Sequence, residues 1–262
     1  MLRFGIRFED LMDETNFRAK YDKFYLYCKE IFGVEPEDPT EWDRLMELRK
    51  YLAKEKIVRD TVQMLYDAMK EGKRVLAEGA NGCLLDIDHG TYPFVTSSNT
   101  TIGGVCTGLG VPPQKIRTSI AVVKAYTTRV GSGPMECELN DAMGEKLQQK
   151  GAEFGVTTGR KRRCGWLDLK VLKRSVMLNG YSSIFLTKLD ILSDLGDLKI
   201  LLENGEYKTL SGWKEDITSV REFADLPENA RKYVEFIEEY LETPVSWIGV
   251  GPARSEIIQK IK

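Results

Sequence analysis

One stretch of the sequence concentrates residues that could bind anions. Residues 155–166 read Gly-Val-Thr-Thr-Gly-Arg-Lys-Arg-Arg-Cys-Gly-Trp, with four consecutive cations close to two threonines and two turn-forming glycines. Glycine permits close backbone approach, threonine hydroxyls donate hydrogen bonds, and arginine binds a carboxylate or phosphate through two parallel hydrogen bonds. The pattern favours an anion-binding loop. Three other interpretations stay open at this point: a solvated surface, a localisation signal or a nucleic-acid patch.

A second motif follows an apolar segment further along the chain. Residues 183–187 read Ser-Ile-Phe-Leu-Thr, and Lys188, Leu189 and Asp190 come directly after them. Thr-Lys-x-Asp after a hydrophobic strand matches the guanine-recognition pattern of GTP-binding proteins, in which the aspartate accepts hydrogen bonds from guanine N1–H and the 2-amino group. Adenine lacks that pair of donors. The phosphate-binding motif G-x-x-x-x-G-K-[ST], which usually accompanies this base reader, does not occur in the sequence.

The single histidine, His89, is a weaker candidate for chemistry. Asp86 and Asp88 are near enough in sequence to orient its ring, but no serine or cysteine stands at a spacing that defines a nucleophile motif. A non-catalytic role is therefore favoured. The surrounding residues 84–104 are rich in hydroxyls and glycines, and they predict a long loop of the kind that is often functional.

The elements that must position these residues change in character near Lys73. Before it, apolar residues recur at helical spacing and predict two helices, one capped at Asp13 and one beginning at a capping box at Thr40 and running to Gly72. After it, strands and helices alternate, which predicts an α/β fold with a mostly parallel central sheet flanked by helices. We therefore expect a helical segment, residues 1–72, packing on an α/β part of the same domain, residues 73–262. The predicted strands are 74–77, 183–187 and 244–251, and the predicted helices are 140–150, 167–178 and 227–241. Residues 119–130 predict either a buried strand or a short helix that leads to a strand.

Composition excludes several classes of protein. The formal net charge of -2, from 38 basic and 40 acidic residues, disfavours a dedicated nucleic-acid binder. The five cysteines stand singly, so neither a zinc site nor a disulfide framework is indicated, and they suit a reducing cytosol. No apolar run reaches the ~18 residues of a membrane span, and the amino terminus lacks a signal-peptide core. These features predict a soluble, cytoplasmic protein without nucleic-acid or membrane partners.

Several segments together resemble the signatures of the adenylosuccinate synthetase family. The matching segments are residues 78–82, 86–99, 124–131, 153–168 and 187–190. The resemblance implies the P-loop nucleotide hydrolase-like fold of that family, with its large, mainly parallel sheet. It also implies the family's reaction, the ligation of IMP and L-aspartate to adenylosuccinate with hydrolysis of GTP. The family uses Mg²⁺ as a cofactor and is usually homodimeric.

The resemblance also implies roles for particular residues. The expected IMP-binding residues are Asn81, Thr96 and Arg160. The expected aspartate-binding residues are Val156, Thr157, Thr158, Gly159, Arg160 and Arg162. The expected GTP-binding residues are Arg162, Lys188, Leu189, Asp190, Gly249, Val250 and Gly251.

The sequence also departs from the family pattern. The resemblance covers nearly the whole chain but only about the later two thirds of the family, without the phosphate loop Trp-Gly-Asp-Glu-Gly-Lys-Gly, the catalytic histidine after it, or the IMP-phosphate loop. We therefore expect a chain truncated at its amino terminus and incomplete for catalysis. Its catalytic residues and Mg²⁺ ligands are expected upstream of Met1, and none within the chain itself.

A shorter segment marks a further departure. Residues 198–213 are shorter than the family's segment, so a hairpin-like excursion is expected to be lost. The alternative function for a chain shortened in these ways is a non-catalytic, nucleotide-binding or dimerising remnant.

Overall fold

A change from helices to mixed strands and helices divides the chain at residue 75, close to the change in character expected at residue 73. The computed structural model describes residues 5–34, 38, 40–156 and 159–260. Two compact units result, residues 1–75 and residues 76–262.

The first unit is helical, as predicted, but it has more helices than the two expected. Its described helices are α1 (Phe8–Met12), α2 (Glu14–Phe32), α3 (Glu41–Lys54) and α4 (Thr61–Lys70). The helix predicted from Thr40 to Gly72 is interrupted because the Asp60 side chain accepts hydrogen bonds from the N–H groups of Val62 and Gln63 and so begins a new helix. The Thr40 hydroxyl donates to Asp38 instead of capping α3, so the predicted capping box was wrong.

The apolar positions of these helices form a small core of their own. Leu11, Phe17 and Leu52 are its buried members. The Phe17 ring stacks on Trp42 with centroids 5.3 Å apart, and the Arg18 guanidinium lies 4.5 Å from the Trp42 ring centroid. The predicted cap at Asp13 is confirmed, since its carboxylate accepts a hydrogen bond from the Asn16 N–H.

The second unit contains the predicted α/β architecture. Its described helices are α5 (Ile102–Leu109), α6 (Ala142–Lys150), α7 (Leu169–Asn179) and α8 (Glu228–Leu241). Its described strands are β1 (Ile120–Lys124), β2 (Thr127–Arg129), β3 (Arg163–Gly165), β4 (Leu167–Asp168), β5 (Ser183–Thr187), β6 (Leu198–Leu201), β7 (Tyr207–Leu210), β8 (Val245–Gly249) and β9 (Ile257–Gln259). The main sheet has the order β1-β5-β8-β9, in which β1, β5 and β8 are parallel and β9 is antiparallel.

The main sheet is held by burial of its apolar side chains. Ile184, Leu186 and Ile248 are at most 1% exposed, and full burial of such a side chain stabilises the fold by about 1.5–3 kcal/mol. The Tyr233 hydroxyl of α8 donates a 2.7 Å hydrogen bond to the carbonyl of Ala125, just beyond β1. This contact fixes α8 against the carboxyl end of β1.

Two local predictions are wrong. Residues 74–77 form no strand, and Leu76 is 89% exposed, because a short apolar run without a partner strand gains nothing from an extended conformation. Residues 198–210 form an antiparallel hairpin, β6 with β7, and the expectation that this segment lacks an excursion of the family stays a prediction. Pro227 is the cap of α8 and not its first helical residue. Among the described residues, no helix has both the length and the apolar character needed to cross a membrane.

Candidate functional site

The carboxyl ends of the three parallel strands meet at one edge of the main sheet. Lys124 ends β1 and lies opposite Thr187, the last residue of β5, and Lys188 follows it. Gly249 ends β8 beside them, because a Cβ added there would lie 3.4 Å from the Thr187 Cα. Open α/β sheets bind ligands beyond the carboxyl ends of their strands, so this edge is the candidate site.

A buried carboxylate, Glu153, lies at the centre of this edge with no exposed surface. Lys124 Nζ is 2.8 Å from both Glu153 oxygens, Arg162 donates from 2.8 Å, and Lys188 Nζ lies 3.1 Å from Oε1. The Tyr126 hydroxyl donates to the same Oε1 from 2.7 Å. One carboxylate therefore joins residues from three separate segments of the chain.

The hydrogen bonds decide the ionisation of this cluster. Burial alone would raise the pKa of Glu153, but the donors Lys124, Tyr126 and Arg162 outweigh burial and hold its pKa at about 2. Burial lowers the pKa of Lys124, and the nearby charges of Lys188 and Arg162 lower it further, while Glu153 opposes both effects. The result is an ionised carboxylate that compensates three closely spaced cations only in part.

The turn after β5 carries the predicted base-reading residues. Lys188 adopts the left-handed conformation with φ 61, and its Nζ donates a 2.5 Å hydrogen bond to the Gly151 carbonyl. Leu189 is fully buried in the core. Asp190 is half-buried, and burial, with a smaller effect of the Glu256 charge, raises the pKa of its carboxyl.

The segment after β8 contains the remaining predicted nucleotide-binding residues. Gly249 and Val250 are buried, and Gly251 is half-buried at the start of a turn. The Val250 N–H donates a 2.9 Å hydrogen bond to the Glu256 carbonyl, which closes that turn. A Cβ at Gly249 would make only an ordinary contact with the Thr187 Cα, so packing within the chain does not require glycine there.

The anion-binding loop predicted from the sequence is a narrow excursion beside Glu153. Its ends are joined by a backbone bridge between Phe154 and Lys161, and the Gly155 N–H donates a 2.8 Å hydrogen bond to the Arg160 carbonyl. Gly159 has φ 63, a left-handed conformation that glycine adopts without strain. The loop thus has a defined base.

The individual loop residues occupy different environments. Val156 is 99% exposed, and Gly159 and Arg160 are also exposed. Thr157 and Thr158, both predicted to bind aspartate, lie outside the described residues. The described residues on either side of 157–158 are therefore exposed to solvent.

The two consecutive arginines at the end of this loop point to different carboxylates. Arg162 donates to Glu153, as described above, and belongs to the strand-edge cluster. Arg163 donates to both oxygens of Glu138, with Nε 2.6 Å from Oε1, and to the Gly133 carbonyl at 2.8 Å. The basic run is therefore divided: Arg162 belongs to the site, and Arg163 fastens β3 to the loop 131–138.

The polar segment that contains Asn81 and Thr96 is organised by a buried carboxylate. Asp86 has no exposed surface and accepts hydrogen bonds from the N–H groups of Asp88, His89, Thr100 and Thr101. These bonds outweigh burial, which would raise the pKa, and hold the pKa of Asp86 at about 2. Asp86 therefore contacts the backbone of His89.

The predicted IMP-binding residues Asn81 and Thr96 lie in this polar segment, and Arg160 lies in the anion-binding loop. Asn81 is exposed in a left-handed bend with φ 68, and Thr96 is half-buried, with its N–H donating to the Leu85 carbonyl. In the part of the chain that the structure describes, no hydrogen bond joins the side chains of Asn81 and Thr96 to each other or to the Glu153 cluster. Lys188, predicted to contact guanine, and the loop residue Arg162, in contrast, share Glu153 directly.

The sequence interpretation assigned no role to Glu153, Lys124 or Tyr126. The signals for them were weak: Lys124 is the charged residue that ends a β-branched strand, and Glu153 immediately precedes the glycine-rich loop. Their importance becomes visible only where the strand ends converge.

The catalytic residues and Mg²⁺ ligands were expected upstream of Met1. Met1 itself lies outside the described residues, so the structure does not test this expectation. Within residues 5–34, 38, 40–156 and 159–260, no group of three or more His, Cys, Asp and Glu side chains is arranged to hold a metal ion. The described residues therefore do not fit a Mg²⁺ site by themselves.

Comparison with known families and proteins gives a consistent result. The family model described as adenylosuccinate synthetase matches residues 1–205 and 202–258. The chain is 48% identical over 280 residues to an adenylosuccinate synthetase of Paramecium tetraurelia, covering 99% of this chain and 65% of the relative. It is 50% identical over 283 residues to that of Caenorhabditis briggsae, with the same two coverages, 99% and 65%.

A solved structure is similar over nearly the whole chain. It is the fully ligated adenylosuccinate synthetase from Plasmodium falciparum, with a TM-score of 0.94, 41% sequence identity, and coverage of 99% of this chain and 67% of that chain. The chain spans about 65% of the length of the curated relatives it matches.

Proposed function

The chain belongs to the adenylosuccinate synthetase family, and from this premise we propose that it takes part in the GTP-dependent ligation of IMP and L-aspartate to adenylosuccinate. In that reaction GTP is hydrolysed to GDP and phosphate. The observation that carries the proposal is the placement of Lys188 and Arg162 on one buried carboxylate, Glu153, at the carboxyl ends of the parallel strands.

In this proposal the turn after β5 reads the guanine base. The ionised Asp190 accepts hydrogen bonds from guanine N1–H and the 2-amino group, while the Lys188 stem covers the base. Burial around Asp190 strengthens those bonds, since a half-buried carboxylate loses less to competing water. Gly249, Val250 and Gly251 line the other side, and the absence of a side chain at Gly249 gives the nucleotide room to approach the backbone.

The anion-binding loop takes the aspartate substrate in the same proposal. Residues 156–160 and Arg162 supply main-chain N–H groups and guanidinium groups, which suit a carboxylate ligand. Arg162 also lies close enough to the Lys188 turn to stabilise negative charge that develops on a transferring phosphoryl group. Asn81, Thr96 and Arg160 are the proposed contacts to IMP.

No step of the proposal passes through Mg²⁺, because the described residues do not offer a metal site. The family resemblance also implies that Mg²⁺ is a cofactor of the reaction, that the enzyme is a homodimer and that it is cytoplasmic. We include these three properties in the proposal on that ground alone.

The test is the nucleotide preference of the full chain. A guanosine diphosphate with a fluorescent ribose label is bound and then displaced by unlabelled GTP, ATP or xanthosine triphosphate. GTP should displace it at least about tenfold better than ATP, because adenine cannot satisfy the Asp190 carboxylate. Asp190→Asn should reverse the order of GTP and xanthosine triphosphate, and the exposed Asp197→Asn serves as the matched control. Equal displacement by ATP and GTP would remove guanine recognition from the proposal.

A further inference from the structure

The Glu153 carboxylate accepts hydrogen bonds from four side chains. Its Oε1 accepts from Lys124, Tyr126 and Lys188, and its Oε2 accepts from Lys124 and Arg162. A carboxylate offers about four lone-pair sites, so these five contacts saturate it. Because Glu153 has no exposed surface, neither water nor a ligand reaches it directly.

The donors come from segments that have little else in common. Lys124 ends β1, Lys188 begins the turn after β5, and Arg162 follows the loop tip. Glu153 is also fixed through its main chain, where its carbonyl accepts a 2.9 Å hydrogen bond from the Arg162 N–H and its N–H donates at 2.8 Å to the Gln148 carbonyl. Both main-chain polar groups of Glu153 are therefore hydrogen-bonded, so the residue is held in place independently of the contacts that its carboxylate makes.

We propose that Glu153 is a positioning residue that holds Lys188 and Arg162 at a fixed separation, and so links the guanine-reading turn to the aspartate-binding loop. This assignment rests on the proposed function. Lysine and arginine side chains each have several rotatable bonds, and both carry positive charge. Without the carboxylate they would repel each other and Lys124, and neither side chain would keep its place.

The charge balance of the cluster supports this role. Three cations, Lys124, Arg162 and Lys188, surround a single carboxylate, so about two positive charges stay uncompensated within the protein. Each of the three side chains is 27–34% exposed, whereas Glu153 is not exposed at all. The cations can thus face anionic ligands while the carboxylate holds them from behind.

A role in folding alone would have a different signature from positioning. A folding residue supports stability but leaves the energetic relationship between Lys188 and Arg162 unchanged. A positioning residue makes their contributions to binding interdependent, because both act through one carboxylate. A double-mutant cycle separates the two cases.

The experiment measures binding of the fluorescent guanosine diphosphate to the full chain. Lys188→Met, Arg162→Leu and the double variant are compared in the wild-type background and in Glu153→Gln, which keeps the side-chain shape but removes the charge. The control background is Glu138→Gln, whose carboxylate instead pairs with Arg163, outside the site. Should Glu153→Gln fail to fold, the cycle is run in Glu153→Asp, which keeps the charge on a shorter side chain.

We expect Glu153→Gln to weaken nucleotide binding about tenfold or more, since it removes one partner from buried charge pairs. Each single variant changes the dissociation constant of the labelled nucleotide by some factor. In the wild-type and Glu138→Gln backgrounds, the factor for the double variant should differ about fivefold from the product of the two single factors. In the Glu153 variant this difference should fall to about twofold or less. An unchanged difference in all three backgrounds would overturn the proposal.

A second measurement separates this inference from the proposed function. Absence of guanine-nucleotide binding by the wild-type chain would count against the proposed function itself. Hydrogen exchange then decides the Glu153 assignment: in Glu153→Gln the amide of Arg162 and the Gly155 amide at the base of the loop should exchange about tenfold faster, because the loop base loses its anchor. The buried amides of Leu186 and Ile248 should be unaffected. Unchanged loop exchange would refute the positioning role.

Discussion

The guanidinium of Arg129 donates a hydrogen bond to the Thr91 hydroxyl, with Nη2 2.7 Å from Oγ1. The same nitrogen donates to the Phe94 carbonyl at 3.2 Å, and Nε donates to the Ser132 carbonyl at 3.2 Å. Arg129 is only 7% exposed and has no carboxylate partner in the described part of the chain. It therefore joins the end of β2 to the loop that leads to Thr96 through hydrogen bonds to neutral groups.

Arg129→Met should destabilise the second unit by about 2 kcal/mol, because it leaves buried carbonyls without donors. Chemical denaturation followed by circular dichroism measures this loss. The exposed Arg174→Met on α7 is the matched control and should change the free energy of unfolding by less than about 0.5 kcal/mol. Equal effects of the two variants would show that the Arg129 contacts contribute nothing.

Glu153 should give the protein a pH-dependent stability in the acid range. Its pKa is about 2 in the folded state and 4.5 as a free carboxyl, so its stabilisation is fully present above about pH 4.5 and is lost as the pH falls through about 2. The difference corresponds to about 3 kcal/mol in the free energy of unfolding. Between about pH 5 and about pH 3, the free energy of unfolding should therefore fall less in Glu153→Gln than in wild type. The exposed Glu235→Gln should follow wild type.

Arg162→Leu should weaken binding of L-aspartate while preserving the fold. The variant removes a cation beside the loop, but Glu153 keeps Lys124, Tyr126 and Lys188 as donors and is not left unpaired. Calorimetric titration with L-aspartate, in the presence of IMP and GTP, should show affinity reduced about tenfold or more, and Arg162→Lys should recover only part of it. A collapsed circular dichroism spectrum would instead make Arg162 a structural residue.

Guanine-nucleotide affinity should fall in mildly acidic solution. Burial raises the pKa of Asp190 above its ordinary value of 3.8, so the carboxylate gains its proton at a higher pH than a free aspartate would. A protonated carboxyl cannot accept both guanine hydrogen bonds, and affinity should decline as the pH falls through that raised value. The fluorescent displacement titration, repeated across pH, measures the decline. In Asp190→Asn the acid-dependent decline should be smaller, and an identical decline in both proteins would contradict the assignment.

The cysteines should divide into two classes of reactivity. Burial raises the pKa of Cys137 to about 12 and that of Cys164 to about 11, so neither forms the reactive thiolate at neutral pH. Cys28, Cys83 and Cys106 are only half-buried. Iodoacetamide should modify these three first, as followed by peptide mass spectrometry, and the difference should vanish in denaturant. Labelling of Cys137 in the native protein as fast as that of Cys28 would contradict the burial argument.

Periodicity predicted much of the fold because the helices and strands concerned are buried on one face and end at residues that commonly terminate such elements. The strand 183–187 and the helix ending at Gly180 are examples, and Gly180 adopts the left-handed conformation with φ 53. The same method failed where a single residue outweighs the pattern. Asp60 begins a helix inside a continuous apolar period, and the run at residues 74–77 has no partner strand.

Less of the candidate site than of the fold could be predicted from the sequence. Lys188 and Asp190 were assigned a role because the chemistry proposed for them depends on local spacing, which the sequence displays directly. Glu153 was not assigned a role, because its importance comes from Lys124, Arg162 and Lys188, of which Lys124 and Lys188 are 29 and 35 residues away along the chain. Long-range convergence of charges is a property of the folded sheet, and no local motif records it.

The left-handed backbone at Lys188 places two opposed demands on one position. A backbone conformation with φ 61 suits glycine or asparagine, and adopting it costs a lysine roughly 1 kcal/mol. The contacts to Glu153 and the Gly151 carbonyl nevertheless require a long cationic side chain. Variation at this position is therefore a trade-off, in which residues that relax the backbone remove the ammonium, and β-branched residues lose on both counts.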